Sequence, residues 1–188
     1  MILYVDACVR KGSRTGLLAK TLLDRLKDEV VHLRLEDISF DITDEKYLEK
    51  RDALIQKRAF DDDMFALAGQ FAKADTIVIA APYWDLSFPA RLKQYMEAIN
   101  VVGLTFEYTP EGTPRGLCRA GKLYYVTTAG GKYVPEEFGY GYIKALAQNF
   151  YGIKDTELIM ATGLDIMGAD TDAIMQEAIC RIHASLPV

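Results

Sequence analysis

The chain has 188 residues, 50% hydrophobic and 26% charged, which suits one soluble domain spanning residues 1–188 with a sizeable core. Its net charge of −5 offers no basic field for nucleic acid, and no apolar run approaches the roughly 20 residues of a membrane helix. The three cysteines, Cys8, Cys118 and Cys180, are far apart and only His32 and His183 join them, which argues against a disulfide framework or a zinc cluster; the opening Met1–Asp6 lacks the pattern of a signal peptide, so a cytoplasmic protein is expected.

In chain order, Ile2–Ala7 reads as a buried strand. Arg14–Lys27 follows as a helix with Leu18, Leu22 and Leu26 on one face. Val30–Leu35 alternates, with Val31, Leu33 and Leu35 against His32 and Arg34, which predicts a less covered strand at an edge. Glu36–Phe60 is charged and helix-prone over Asp44–Arg58, with no strand. Asp61–Lys73 reads as a helix and Thr76–Ala81 as a buried strand. Pro89–Asn100 is an amphipathic helix with Leu92, Tyr95, Met96 and Ile99 inward. Leu104–Tyr108 alternates before the turn residues Thr109-Pro110-Glu111-Gly112, which predicts a hairpin or an irregular excursion. Leu123–Thr128 reads as a strand, Glu136–Tyr151 as a helix, Glu157–Ala161 as a strand and Asp170–Leu186 as a closing helix.

Five short strands alternating with helices imply a parallel sheet covered on both faces. Neither GxGxxG nor GxxxxGK[ST] follows the first strand. The remaining common doubly wound order is 2-1-3-4-5, the flavodoxin-like α/β fold, and it makes the second strand an edge. Ligands then bind where the order reverses, outside the ends of strands one, three and four.

Three loops fall there. Cys8-Val9-Arg10-Lys11-Gly12-Ser13-Arg14-Thr15-Gly16 combines hydroxyls, cations and the amides of a helix start, a set suited to phosphate; Ser13 and Thr15 serve equally well as ordinary cap residues. Pro82-Tyr83-Trp84-Asp85-Leu86 brings flat side chains to the sheet end, for a planar ligand or for closing the core. Thr127-Thr128-Ala129-Gly130-Gly131 lets backbone approach a ligand, or is a flexible turn.

Three spaced motifs in order resemble the FMN-dependent NADH:quinone oxidoreductases and azoreductases of the flavodoxin-like NAD(P)H dehydrogenase (quinone) superfamily, and the likeness covers nearly the whole chain. Pro82–Leu86 is similar to the family's Pro-(Met)-Tyr-Asn-Phe. Gly103-Leu104-Thr105-Phe106-Glu107-Tyr108 is similar to Gly-Val-Thr-Phe-x-Tyr, and Thr127–Gly131 to (Ser/Thr)-x-x-Gly-Gly.

The resemblance implies bound FMN, with NADH or NADPH as donor and a quinone, azo or similar small aromatic acceptor, in ping-pong turnover. It implies that Arg10, Ser13 and Thr15, with Cys8 in place of the usual Ser, hold the phosphate. Pro82, Tyr83, Trp84, Asp85 and Leu86 would run along the ribityl chain and the ring. Thr127, Thr128, Gly130 and Gly131 would meet the ring's polar edge, and Phe106 and Tyr108 would line the substrate side, Tyr108 being a candidate acid. Asp85 for Asn adds a negative charge near the ring, Leu86 stands for Phe, and Ala129 stands where Arg is common. The family's site lies at a homodimer interface, and the insert Glu36–Phe60 would supply partner residues or form a plain solvated helix. Two other readings are a flavodoxin-type electron carrier and a flavin-free binding module.

Overall fold

The computed structural model describes residues 1–186; the last two positions of the expected domain, Pro187 and Val188, lie outside the described residues. Its main sheet is parallel, in the order β2-β1-β3-β6-β7, from β1 (Ile2–Asp6), β2 (Val30–Arg34), β3 (Thr76–Ala80), β6 (Lys122–Thr128) and β7 (Asp155–Ala161). This is the expected flavodoxin-like order. The intervening strands β4 (Phe106–Tyr108) and β5 (Pro114–Gly116) form a separate antiparallel hairpin. As predicted, Thr109–Gly112 turns it: Gly112 N–H donates to Thr109 O at 2.9 Å, with Gly112 at φ +79°.

The strands β1, β3 and β6 are apolar on both faces because helices cover both. On one side α1 (Arg14–Leu26) lays Leu18 and Leu22, and α6 (Thr171–Ser185) lays Met175, Ala178 and Ile182, against Ile2, Val78, Tyr124 and Val126. On the other, Phe71 of α3 (Ala66–Lys73), Tyr95 and Ile99 of α4 (Ala90–Ile99) and Ile143 of α5 (Tyr140–Leu146) pack on Leu3, Val5, Ile77 and Tyr125. The edge strand β2 half-buries Val31 and Leu33 and exposes His32 and Arg34, so its alternation did report an edge. The insert carries α2 (Glu45–Gln56), none of whose residues is fully buried.

Two helices start four or more residues later than expected. The helix expected over Glu136–Tyr151 starts at Tyr140 and ends in a π turn, Ala147–Tyr151. Residues 136–139 form a tight turn instead, closed by Gly141 N–H on Glu136 O at 2.6 Å, and a Cβ at Gly141 would approach that same oxygen to 2.9 Å. Gly152 caps the far end at φ +78°, a left-handed terminus that glycine adopts freely. The helix expected from Asp61 becomes α-helical only at Ala66, after a 3₁₀ turn that Asp62 caps through Met64 N–H at 3.0 Å.

Candidate active site: a cleft at the switch point

The loops after β1, β3 and β6 meet around a cleft of about 380 Å³ at the carboxyl ends of the strands. This is where the sheet order reverses, the usual ligand position in open α/β sheets.

The loop after β1 runs into α1. Ser13 caps that helix, its Oγ accepting the Gly16 N–H at 3.2 Å, and its own N–H folds back on Arg10 O at 3.1 Å. The N–H groups of Arg14 and Thr15, in the first turn, have no intrahelical acceptor, and Arg10 and Lys11 are exposed beside them. The wall therefore offers amide donors, one hydroxyl and cations to an anion. Thr15 is different. It is buried, and its Oγ1 lies 2.6 Å from Thr128 Oγ1, tying α1 to the end of β6. One hydroxyl must donate to the other, so the pair keeps at most one O–H for a ligand. Cys8 does not line the cleft. Its half-buried thiol points to Ala80 O at 3.8 Å and borders a neighbouring groove beside β2. Burial pushes the thiol up to about 12, which favours the protonated form at pH 7.

The loop after β3 is pinned by Tyr83 N–H on Thr128 O at 3.0 Å. Trp84 and Ser87 then exchange backbone hydrogen bonds of 3.1 and 2.7 Å around Asp85 (φ +50°) and Leu86 (φ +67°). Both central residues are left-handed, as in the primed turns that normally take Asn-Gly. Asp tolerates this conformation; for Leu it costs roughly 1–2 kcal/mol. Strain of this kind collects at ligand sites. It leaves Trp84 40% and Leu86 49% exposed at the tip. Ser87 Oγ donates to Phe138 O at 2.7 Å, joining this loop to the segment before α5.

At the end of β6, Thr127 Oγ1 is buried and has no partner among the described residues. The N–H groups of Gly130 and Gly131, like those of Asp85 and Leu86, find no acceptor among the described residues. A Cβ at Gly130 would sit 2.3 Å from Asp165 Oδ2, so this glycine makes room for a carboxylate from the loop after β7; at Gly131 the same space is open. Asp165 and its ion-pair partner Arg14 both line the cleft; Arg14 belongs to the cationic loop read from sequence, while Asp165 and the pairing escape such a reading, because 151 positions separate the two.

The cleft thus gathers Arg10, Ser13, Thr15, Pro82, Tyr83, Trp84, Thr128 and Gly130, while Asp85, Leu86, Thr127 and Gly131 adjoin it in the same loops. Phe106 and Tyr108 do not line the cleft of their own chain. Their hairpin leaves through Arg119 N–H on Ala72 O and Gly121 N–H on Asp75 O, both 3.0 Å, at the end of the sheet where β3 and β6 begin. Phe106 is buried edge-on to Phe150 at 4.6 Å between ring centroids, and Tyr108 is 53% exposed.

Fold and cleft together define a flavodoxin-like α/β protein whose first helix opens, with cations beside it, onto a cleft at the switch point of the sheet. The family of flavodoxin-like fold matches residues 1–186. Relatives from Clostridium perfringens and Clostridium beijerinckii, both named FMN-dependent NADH:quinone oxidoreductase, are 35% and 36% identical over 187 residues, covering 95% of this chain and 93% of theirs. The chain belongs to this family. Among solved structures, an azoreductase from Bacillus anthracis superposes with a TM-score of 0.85 at 22% identity, covering 98% of this chain and 97% of its own. A Bacillus anthracis FMN-dependent NADH-azoreductase in complex with FMN gives 0.78 at 24%, with the same coverage of both chains. At these identities the two structures bear on the fold alone.

Proposed function

We propose that the protein is an FMN-dependent oxidoreductase that carries hydride from NADH to a quinone, azo or similar small aromatic acceptor. The observation that carries this reading is the meeting of three loops at the switch point: a helix start flanked by Arg10 and Lys11, the aromatic segment Pro82–Trp84 and the loop of Gly130, with the N–H groups of Gly130 and of the adjoining Asp85, Leu86 and Gly131 finding no acceptor among the described residues. The residues fit FMN. The α1 start suits a terminal phosphate, and the two amide pairs suit an aromatic ring that gains negative charge when reduced. Thr127 adds a buried hydroxyl without a partner. When bound, FMN supplies the hydride chemistry. The chain's part is to hold the phosphate, to present the four N–H groups, and to offer Trp84 and Leu86 as an apolar rim. Among the described residues no helix is long and apolar enough to cross a membrane, and we place the enzyme in the cytoplasm.

We further propose a homodimer. Phe106 and Tyr108 sit at the far end of the sheet from their own cleft, so a role beside an acceptor requires the cleft of a second copy. Exposed Ile42 and Leu48 in the insert supply apolar surface for such contact.

Titration of the purified protein with FMN at micromolar concentrations should change flavin fluorescence, and the complex should oxidise NADH when a quinone is added. No fluorescence change would indicate a flavin-free binding module. Binding without NADH:quinone turnover would indicate an electron carrier.

Asp85 gives a second test. Replacing Asn by Asp at the tip of the amide-bearing turn places a carboxylate where negative charge develops on reduction. Asp85→Asn should raise the flavin midpoint potential, on the order of tens of millivolts after solvent screening of an exposed group. Asn also suits the left-handed backbone, so the melting temperature should not fall. A midpoint that is unchanged or lower would place the carboxylate away from the ring.

A further inference from the structure

We infer that Asp165 is an electrostatic counterweight in the cleft: from beside Gly130 it engages Arg14 at the start of α1 and so limits how tightly the site grips a phosphorylated flavin. This rests on the reading of the cleft as an FMN site.

Arg14 is the first residue of α1, where the helix dipole favours anions and disfavours a cation. Both ends of its guanidinium fork are nevertheless taken by the loop after β7. Nη2 donates to Asp165 Oδ1 at 2.7 Å and Nη1 to Leu164 O at 3.2 Å. That loop is not free to follow Arg14 elsewhere. Asp165 N–H donates to Gly130 O at 3.0 Å, Gly163 N–H to Gly131 O at 2.9 Å, and Thr171 Oγ1 to Leu164 O at 3.1 Å. The second carboxylate oxygen, Oδ2, fills the space that a Cβ at Gly130 would need.

A fixed negative charge therefore shares the cleft with the cations and amides that would receive phosphate. It acts twice: it repels an incoming dianion, and it holds a guanidinium that could otherwise pair with it. In the second action Asp165 is a positioning residue, since it works through Arg14. Its side chain is 65% exposed and that of Arg14 37%, so the effect is screened by water and falls with salt.

The test is the affinity of the full-length apoprotein for FMN and for riboflavin, measured by flavin fluorescence at low and high salt. Riboflavin carries the ring and ribityl chain without the phosphate. Asp165→Asn should tighten FMN about three- to tenfold at low salt and leave riboflavin unchanged, with the gain shrinking at high salt. Arg14→Gln in the wild-type background leaves the carboxylate unopposed and should weaken FMN but not riboflavin. In the Asp165→Asn background it should remove the gain.

Equal shifts for FMN and riboflavin would make Asp165 a packing residue of the loop and overturn the proposal. So would FMN affinity that is unchanged or reduced in Asp165→Asn. A wild-type protein that binds neither flavin would instead overturn the FMN reading itself, and the proposal with it.

Discussion

Gly116→Ala should destabilise the protein by about 3 kcal/mol, the upper end of the usual cost of overpacking, because the atoms it meets cannot move aside. A Cβ at this position would lie 2.1 Å from Gly152 N and from Tyr151 C, and 2.3 Å from Tyr151 O. All three are backbone. Nor can the segment they belong to retreat easily. Tyr151 is buried, its hydroxyl donates to Asn100 Oδ1 at 2.7 Å, and its ring packs edge-on against Phe71 at 4.8 Å. Either the hairpin lifts off the π turn or Tyr151 leaves its socket. For a chain of this size the melting temperature should fall on the order of 10 °C. Gly112→Ala is the matched control. It meets no atom within 4 Å, but its φ of +79° makes alanine cost about 1 kcal/mol. A loss at Gly116 no larger than at Gly112 would show that the hairpin is loosely held. The hairpin bears Phe106 and Tyr108, so Gly116→Ala also separates the two ends of the molecule. FMN binding should persist at temperatures where the variant is folded, while turnover falls if those aromatics complete a partner's cleft.

Ser13→Ala should weaken FMN binding about 10- to 100-fold, the loss of a charge-assisted hydrogen bond of ~1.5–3 kcal/mol. Its Oγ accepts from Gly16 N–H and neighbours the Cys8 sulfur, and its proton can turn from there to an anion at the helix start. The same change removes the N-cap and should lower stability by only about 1 kcal/mol. Thr15→Ala should show the opposite balance. The Thr15 hydroxyl is committed to Thr128, so its removal orphans a buried group and costs about 1–3 kcal/mol of stability. The smaller part of its effect should fall on FMN, to which, in the proposed site, Thr15 would offer its backbone N–H. Isothermal denaturation and flavin titration of the two variants decide the matter. Unchanged FMN affinity in Ser13→Ala would reduce that hydroxyl to a cap.

The contrast between Ser13 and Thr15 shows where reading by sequence stops. Both sit at the start of a helix after a buried strand, and both look equally fit to hold a phosphate. Only the fold places the end of β6 beside Thr15, and with it the Thr128 hydroxyl at 2.6 Å. Cys8 is a similar case. Its position in the loop is visible, but its turn toward Ala80 O and out of the cleft depends on the strand alongside.

Much else was determined by the sequence itself. Continuous apolar runs such as Ile77–Ala81 identify strands covered on both faces, and the alternation in Val30–Leu35 identifies the edge. With the parallel sheet this is enough for the order of the five main strands, and hence for the three loops that meet at the switch point. Periodicity is a local property: it reports which face of an element is buried, and it is silent about which distant side chain lies against it. Tertiary structure alone therefore decided the Arg14–Asp165 pair, the room that Gly130 leaves for a carboxylate, the strained turn at Asp85 and Leu86, and the seating of Phe106 and Tyr108 at the opposite end of the sheet. Each of these rests on a contact between segments far apart in the chain, or on a backbone conformation that the surrounding packing imposes against local preference.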